Sequence, residues 1–474
     1  MTGVPRCLGA SVAAALTVMP RCLGAVLATA ILVLVPGAAS ARTWTVGPAG
    51  SDFPLIAPAL AAAADGDTIV VRRGVYRENL VLDRRVSIVG DGSPVLFGLG
   101  TGSVIRINAA GCEVRGLTIE GSGAGESNEM DAAIQIASSG NRIAHNTLRR
   151  VFYGIVVGGG SGNEIAGNAI AGLGDRPFGR RGDGIYVYRA ADTRVLRNHV
   201  TGERDGIYFQ YAPGGVAEGN VVSETRYGLH VMFSNGISAR GNTFSHSSVG
   251  ANIMDSRAIE IAGNRFERNR GVSAVGLALK QCDDSAVRDN VFTDNARGLQ
   301  VDGASRNRFT SNRFLYNDTG LTLFSSAEAN AFSANVFDGN WSDVVVTGRG
   351  AGTRWSVDGL GNRWSGYSGF DFDGDGVGEA PHPLLTPFAA IEGGNPTARL
   401  FLQAPAATGL ALAARAGIGP GTAEEDPAPI TPNAPRSPAT EVTKRPPADG
   451  AAVALSAFLL AVGFIVISRE VSPC

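Results

Sequence analysis

Residues 205–254 run DGIYFQYAPGGVAEGNVVSETRYGLHVMFSNGISARGNTFSHSSVGANIM. Three glycines, Gly206, Gly228 and Gly250, each precede a short apolar strand, and they stand 22 residues apart. Asn220 and Asn242, each followed two residues later by an apolar residue, repeat at the same interval. Working outward, the asparagine mark recurs at Asn146, Asn168, Asn198, Asn220, Asn242, Asn264, Asn290, Asn312, Asn335 and Asn362, at intervals of 22, 30, 22, 22, 22, 26, 22, 23 and 27. The glycine mark falls at Gly154, Gly184, Gly206, Gly228, Gly250, Gly276, Gly298 and Gly320, with the same insertions.

A period near 22 residues, with two or three short strands per repeat, specifies an all-β, right-handed parallel β-helix. One coil cannot bury its apolar face alone and must stack on its neighbours. The residues two after each Asn are Leu148, Ile170, Val200, Val222, Phe244, Phe266, Phe292, Phe314, Phe337 and Trp364. They are expected to form one internal ladder, each worth roughly 1.5–3 kcal/mol of burial. The asparagines are read as turn residues. Asn tolerates the left-handed conformation, and stacked copies can bond one another. The long intervals are coils with inserted loops, the largest being the basic stretch Leu173 to Arg181.

Upstream, Gly66 to Val71 and Val86 to Gly90 fit the first coils, and Phe53 to Ala64 a short helix that caps their open edges. A dozen coils at roughly 4.8 Å each give a rod on the order of 60 Å. The body is assigned to residues 42–395.

The flanks differ in composition. Arg21, the apolar run Val26 to Val35 and the small residues up to Ala41 make residues 1–41 a secretory signal peptide. The segment Pro-Arg-Cys-Leu-Gly-Ala occurs at 5–10 and again at 20–25, which makes Met19 the expected start. Residues 396–450 are a tail and linker, rich in Pro, Ala and Thr from Pro420 to Asp449. Residues 451–468 are uncharged and apolar, at the short limit for a membrane helix. The alternative is a buried or artefactual helix.

Charged residues are only 18% and the formal charge is −2, so nothing steers the chain toward nucleic acid. Of the five cysteines, Cys112 and Cys282 lie in the body. They form either one disulfide or two buried thiols. His145, His199 and His246 sit beside turns and carry no assigned chemistry.

Strand residues alternate faces. After each marked Gly, positions +1 and +3 are apolar and face in. Positions +2 and +4 therefore face out: Tyr186 and Tyr188, Tyr208 and Gln210, His230 and Met232, Asn252 and Met254, Ala278 and Lys280, Gln300 and Asp302. The chain has five His and five Met, yet His230, Met232 and Met254 fall together on two adjacent coils. Thioether and imidazole suit Cu(I), and an open site would suit transfer. The same strip also fits a docking patch for a partner protein. A second motif, Asp371-Phe-Asp373-Gly-Asp375-Gly376, matches the start of a calcium loop. Its twelfth position is His382 rather than Glu, so the alternatives are a bound calcium and a metal-free turn closing the last coil.

Tyr227-Gly-Leu-His-Val-Met-Phe-Ser234, followed one coil later by Val249-Gly-Ala-Asn-Ile-Met-Asp-Ser256, resembles the twin Met-containing coils of the NosD family. So do Asp183-Gly-Ile-Tyr-Val187 and its repeat Asp205-Gly-Ile-Tyr-Phe209. The segment from Gly361 to Gly378 is similar to that family's end of the helix, and Leu400-Phe-Leu402 and Asp426-Pro-Ala-Pro429 stand where it carries its tail. Asp255 stands where an aromatic residue is expected. The resemblance covers roughly residues 42 to 430. It implies a periplasmic copper-binding accessory protein that works with the ATPase and membrane subunits of an ABC transporter. Its role would be copper delivery or copper–sulfur cluster assembly in nitrous oxide reductase, with His230, Met232 and Met254 on copper.

Two other classes compete. β-Helices also host polysaccharide lyases, epimerases and hydrolases, whose chemistry needs convergent carboxylates. The candidates Asp255, Asp283, Asp284 and Asp302 fall mostly in turns and stack no acid–base pair on one face. A surface adhesin would show neither metal dependence nor a transporter partner.

Overall fold

The computed structural model describes residues 41–123, 130–347, 352–384 and 424–432, with short pieces between 391 and 413 and Ala434. The signal peptide, Met19 and the segment 451–468 lie outside the described residues. No helix among the described residues is long and apolar enough to cross a membrane.

The chain winds into a parallel β-solenoid with three faces. Its first sheet has 13 strands from Thr43–Val46 to Ala331–Ser333, its second has 12 from Leu80–Leu82 to Ser342–Thr347, and its third has 13 from Val75–Arg77 to Arg363–Trp364. Each strand pairs in parallel with the one a coil away. The pairing Tyr208↔His230↔Asn252 shows the 22-residue step directly. Helix Ile56–Ala62 covers the N-terminal end, and Glu78 accepts the backbone N–H groups of Ile56 and Ala57.

Both expected ladders are inside. All ten residues from Leu148 to Trp364 are buried. From Phe244 onward their rings stack at centroid spacings of 5.4, 4.9, 4.8, 4.6 and 4.3 Å. The asparagines from Asn146 to Asn362 are buried as well, and each Nδ2 donates to the next Oδ1 at 2.8–3.1 Å. Each of these oxygens also accepts the preceding asparagine's backbone N–H, so the turn leaves no polar orphan. A second asparagine ladder, Asn269, Asn295, Asn317 and Asn340, runs along another turn. The marked glycines have a steric reason. A Cβ at Gly228 would stand 2.4 Å from the Gly250 carbonyl oxygen and 2.8 Å from the Phe244 ring.

The C-terminal end is closed by residues that fall within the expected tail. Asp426 accepts the backbone N–H of Asn362 and the indole N–H of Trp364, ending the ladder with a carboxylate. His382–Pro383 pairs antiparallel with Glu425–Asp426. Cys112 and Cys282 are free, buried thiols, and burial pushes Cys282 up to about 12.

Candidate metal site on the outer face of the second sheet

The second sheet aligns the outward residues in two columns. One runs Tyr186, Tyr208, His230, Asn252, Ala278 and Gln300. The other runs Tyr188, Gln210, Met232, Met254, Lys280 and Asp302. His230 and Met232 thus share one face of strand Tyr227–Met232, and Met254 is the direct register partner of Met232.

The site is less open than alternation alone suggests. His230 is only 6% exposed, because its neighbours enclose it. The Tyr208 ring stacks on the imidazole at 4.1 Å and 8°, and Tyr227 meets it edge-on at 4.9 Å. Tyr208 in turn stacks on Tyr186 at 5.0 Å. Burial raises both phenols above their ordinary range, Tyr208 to about 12. Met232 and Met254 are half-buried. The Tyr208 hydroxyl lies 3.6 Å from the Met232 sulfur, and the Asn252 amide 3.2 Å from that of Met254.

Beneath the imidazole lies Asp205, fully buried. Its Oδ2 is 2.9 Å from His230 Nδ1. Arg226 grips the same carboxylate through Nε at 2.9 Å and a terminal nitrogen at 2.7 Å. Burial pushes the Asp205 carboxyl up, but the hydrogen bonds from His230 and Arg226 outweigh it and hold the group below its ordinary value. An acceptor-only carboxylate assigns the proton to Nδ1. In the neutral ring His230 Nε2 is the acceptor nitrogen; it is buried and has no hydrogen-bond partner among the described residues. Such an orphan costs about 1–3 kcal/mol unless something binds there.

The same device occurs one coil earlier. Asp183, also fully buried, is held by Arg204 at 2.9 and 2.7 Å. The residue 25 positions on is Tyr208, whose hydroxyl turns to Met232 instead. Burial first, and then the charge of Asp205, push Asp183 up to about 6 against the pull of Arg204. Nearby Glu203 is buried with neither carboxyl oxygen bonded. Burial and then Asp183 hold it well above its ordinary value.

The Asp loop is elsewhere, at the C-terminal end. Asp371, Asp373 and Asp375 present oxygens within 4.8 Å of one another. Loop N–H groups of Gly374, Gly376, Asp375 and Val377 already bond to these carboxylates. His382 stacks on Trp364, with ring centroids 5.3 Å apart. Among the alternative carboxylates, Asp283 and Asp284 are both held by Arg306, and Asp302 accepts from Ser326.

Sequence reasoning aligned His230, Met232 and Met254 but gave no role to Asp205 and Arg226. A signal was present. Asp183 to Arg204 and Asp205 to Arg226 are both 21 residues, one short of the period, which sets each guanidinium against the carboxylate of the coil below.

The family model described as "Periplasmic copper-binding protein (NosD)" matches residues 172–369, a span that includes His230, Met232 and Met254. A "Probable ABC transporter binding protein NosD" of Stutzerimonas stutzeri is 35% identical over 349 residues, covering 70% of this chain and 79% of the relative. One of the same description from Pseudomonas aeruginosa is 38% identical over 357 residues, covering 72% and 83%. Among solved structures, the catalytic unit of a GH87 α-1,3-glucanase from Streptomyces thermodiastaticus is 16% identical with a TM-score of 0.53. It covers 65% of each chain and shares the fold alone.

Proposed function

The chain belongs to the NosD family, and from that premise we propose that it holds copper transiently at His230, Met232 and Met254 and passes it on in the periplasm. The receiver is nitrous oxide reductase, whose copper–sulfur cluster assembly the protein assists, and the work is done with the ATPase and membrane subunits of an ABC transporter. One observation carries the reading. A buried imidazole nitrogen with no hydrogen-bond partner among the described residues lies on the same strand face as one methionine and beside the coil that carries another. Two thioethers and one neutral imidazole are a soft donor set that favours Cu(I) over harder ions. A set of three such donors suits a metal that must leave again. The relatives are named as binding proteins, and their naming with an ABC transporter supports the partner.

The test is an anaerobic titration of the full chain with Cu(I) against a competing chelator. One equivalent is expected to bind, and the combined variant His230→Ala, Met232→Ala, Met254→Ala is expected to lose it. A parent chain that binds no Cu(I) would sink this reading.

A further inference from the structure

The orphaned imidazole nitrogen is oriented by groups that neither the family description nor the repeat assigns. We propose that Asp205, braced by Arg226, is a positioning residue that fixes His230 as the Nδ1–H tautomer and so reserves Nε2 as the ligand atom. The inference rests on the copper reading for its purpose but not for its geometry.

A guanidinium that donates to both oxygens leaves the Asp205 carboxylate one sensible role toward a third partner, that of acceptor. The 2.9 Å contact to Nδ1 therefore requires a proton on Nδ1. Only one neutral tautomer satisfies it. A turned-over ring would put Cδ2 instead of Nδ1 against the carboxylate and lose this bond, and the ring is packed where it stands by Tyr208 on one face and Tyr227 at its edge. Carboxylates that take the free N–H of a ligating histidine fix its orientation and raise its basicity, and their loss typically weakens metal binding about 10- to 100-fold. The neighbouring coil supplies an internal control. Asp183 and Arg204 repeat the carboxylate and guanidinium without an imidazole, so a purely structural role predicts equal consequences for the two aspartates.

The experiment labels the full chain with ¹⁵N-histidine and records long-range ¹H–¹⁵N spectra. With five histidines in the chain, loss of one signal set in His230→Ala assigns the ring. In the metal-free parent, His230 is expected as the Nδ1–H tautomer. Asp205→Ala removes the acceptor from Nδ1 and is expected to move the proton toward Nε2. Its Cu(I) affinity should fall about 10- to 100-fold, while Asp183→Ala leaves both readouts unchanged. Arg226→Lys, which keeps the charge, is expected to preserve the tautomer. A parent in the Nε2–H form overturns the proposal without any variant having to fold. So does an Asp205→Ala chain with an unshifted tautomer. A tautomer shift in a chain that binds no Cu(I) upholds the positioning role and removes the copper reading instead.

Discussion

Two adjacent coils carry the same buried carboxylate and the same bidentate arginine, yet one carboxyl is raised and the other is lowered. Asp183 has Arg204 and the backbone N–H of Asp205, and burial together with the charge of Asp205 lifts it to about 6. Asp205 has Arg226 and also His230, and the second donor brings it below its ordinary value despite burial. The difference shows what an imidazole contributes to a buried ion pair. At Asp183 a guanidinium and a backbone amide offset only part of the desolvation beside a second carboxylate, whereas at Asp205 a guanidinium and an imidazole tip the balance toward the charged form. The repeat copied the pair, and the substitution of an imidazole at position 230 for the phenol at 208 turned one copy into the support of a candidate ligand.

The largest expected effect tests whether the pairs are equivalent as structure. Arg204→Ala and Arg226→Ala each strand a buried carboxylate, and breaking such a pair is worth about 3–5 kcal/mol. Urea unfolding should show the greater loss for Arg204→Ala, because Asp205 retains its bond from His230 and Asp183 retains no second side chain among those bonded to it. Equal losses would mean that His230 adds nothing to the stability of its pair.

How much of this was legible in the sequence follows from what a period can encode. Asn146 to Asn362 and Leu148 to Trp364 announce the coil because each occupies the same slot many times, and stacking requires the same residue type in each. Alternation then gave the column of His230 and the column of Met232 and Met254. It did not give burial. Outward residues that stack on large neighbours are enclosed, so Tyr208 and His230 sit on the outer face and are nonetheless 8% and 6% exposed. Asp205 and Arg226 escaped notice because their pair occurs in only two adjacent coils, and a carboxylate at the start of a strand looks solvated until the coil above closes over it. The closing role of Asp426 was illegible for another reason. It lies 64 residues from Asn362, across a composition that reads as linker.

A smaller effect is expected at Glu203, which contrasts with the satisfied turn beside it. One period further on, the Thr225 backbone N–H donates to the Ser247 hydroxyl, and the Ser247 backbone N–H donates to Oδ1 of Asn269, where the second asparagine ladder begins. Glu203 opens that column where the 173–181 insertion interrupts the stack. Its carboxyl fills the space a side chain at Gly172 would need. Unbonded, its carboxyl is held well above its ordinary value by burial. Glu203→Gln keeps the shape and removes the ionisable group but not the unbonded polar atoms, so urea unfolding should show it favoured over the parent more at pH 7 than at pH 4. A destabilised Glu203→Gln chain would show that the acid has a partner that the glutamine cannot replace.

The smallest expected effect is also the sharpest on the original comparison, because it is one of sign. Asp183 has a folded value near 6 against 3.8, so the folded chain binds more protons between those values, and its contribution to stability falls as pH rises from about 4 to 6 and is flat above. Asp205 is lowered, so its contribution is present above 3.8 and is lost as pH falls through the lowered folded value. Unfolding midpoints measured from pH 3 to pH 7 for the parent, Asp183→Asn and Asp205→Asn isolate each term as a difference from the parent. The difference for Asp183→Asn should shift in the variant's favour as pH rises toward 6. That for Asp205→Asn should shrink as pH falls below 4. His230→Ala removes the donor that separates the two coils, and in that background the Asp205 term should move toward the behaviour of Asp183. If it keeps its original sign, Arg226 alone sets the charge of Asp205, and the two coils differ for a reason other than the imidazole.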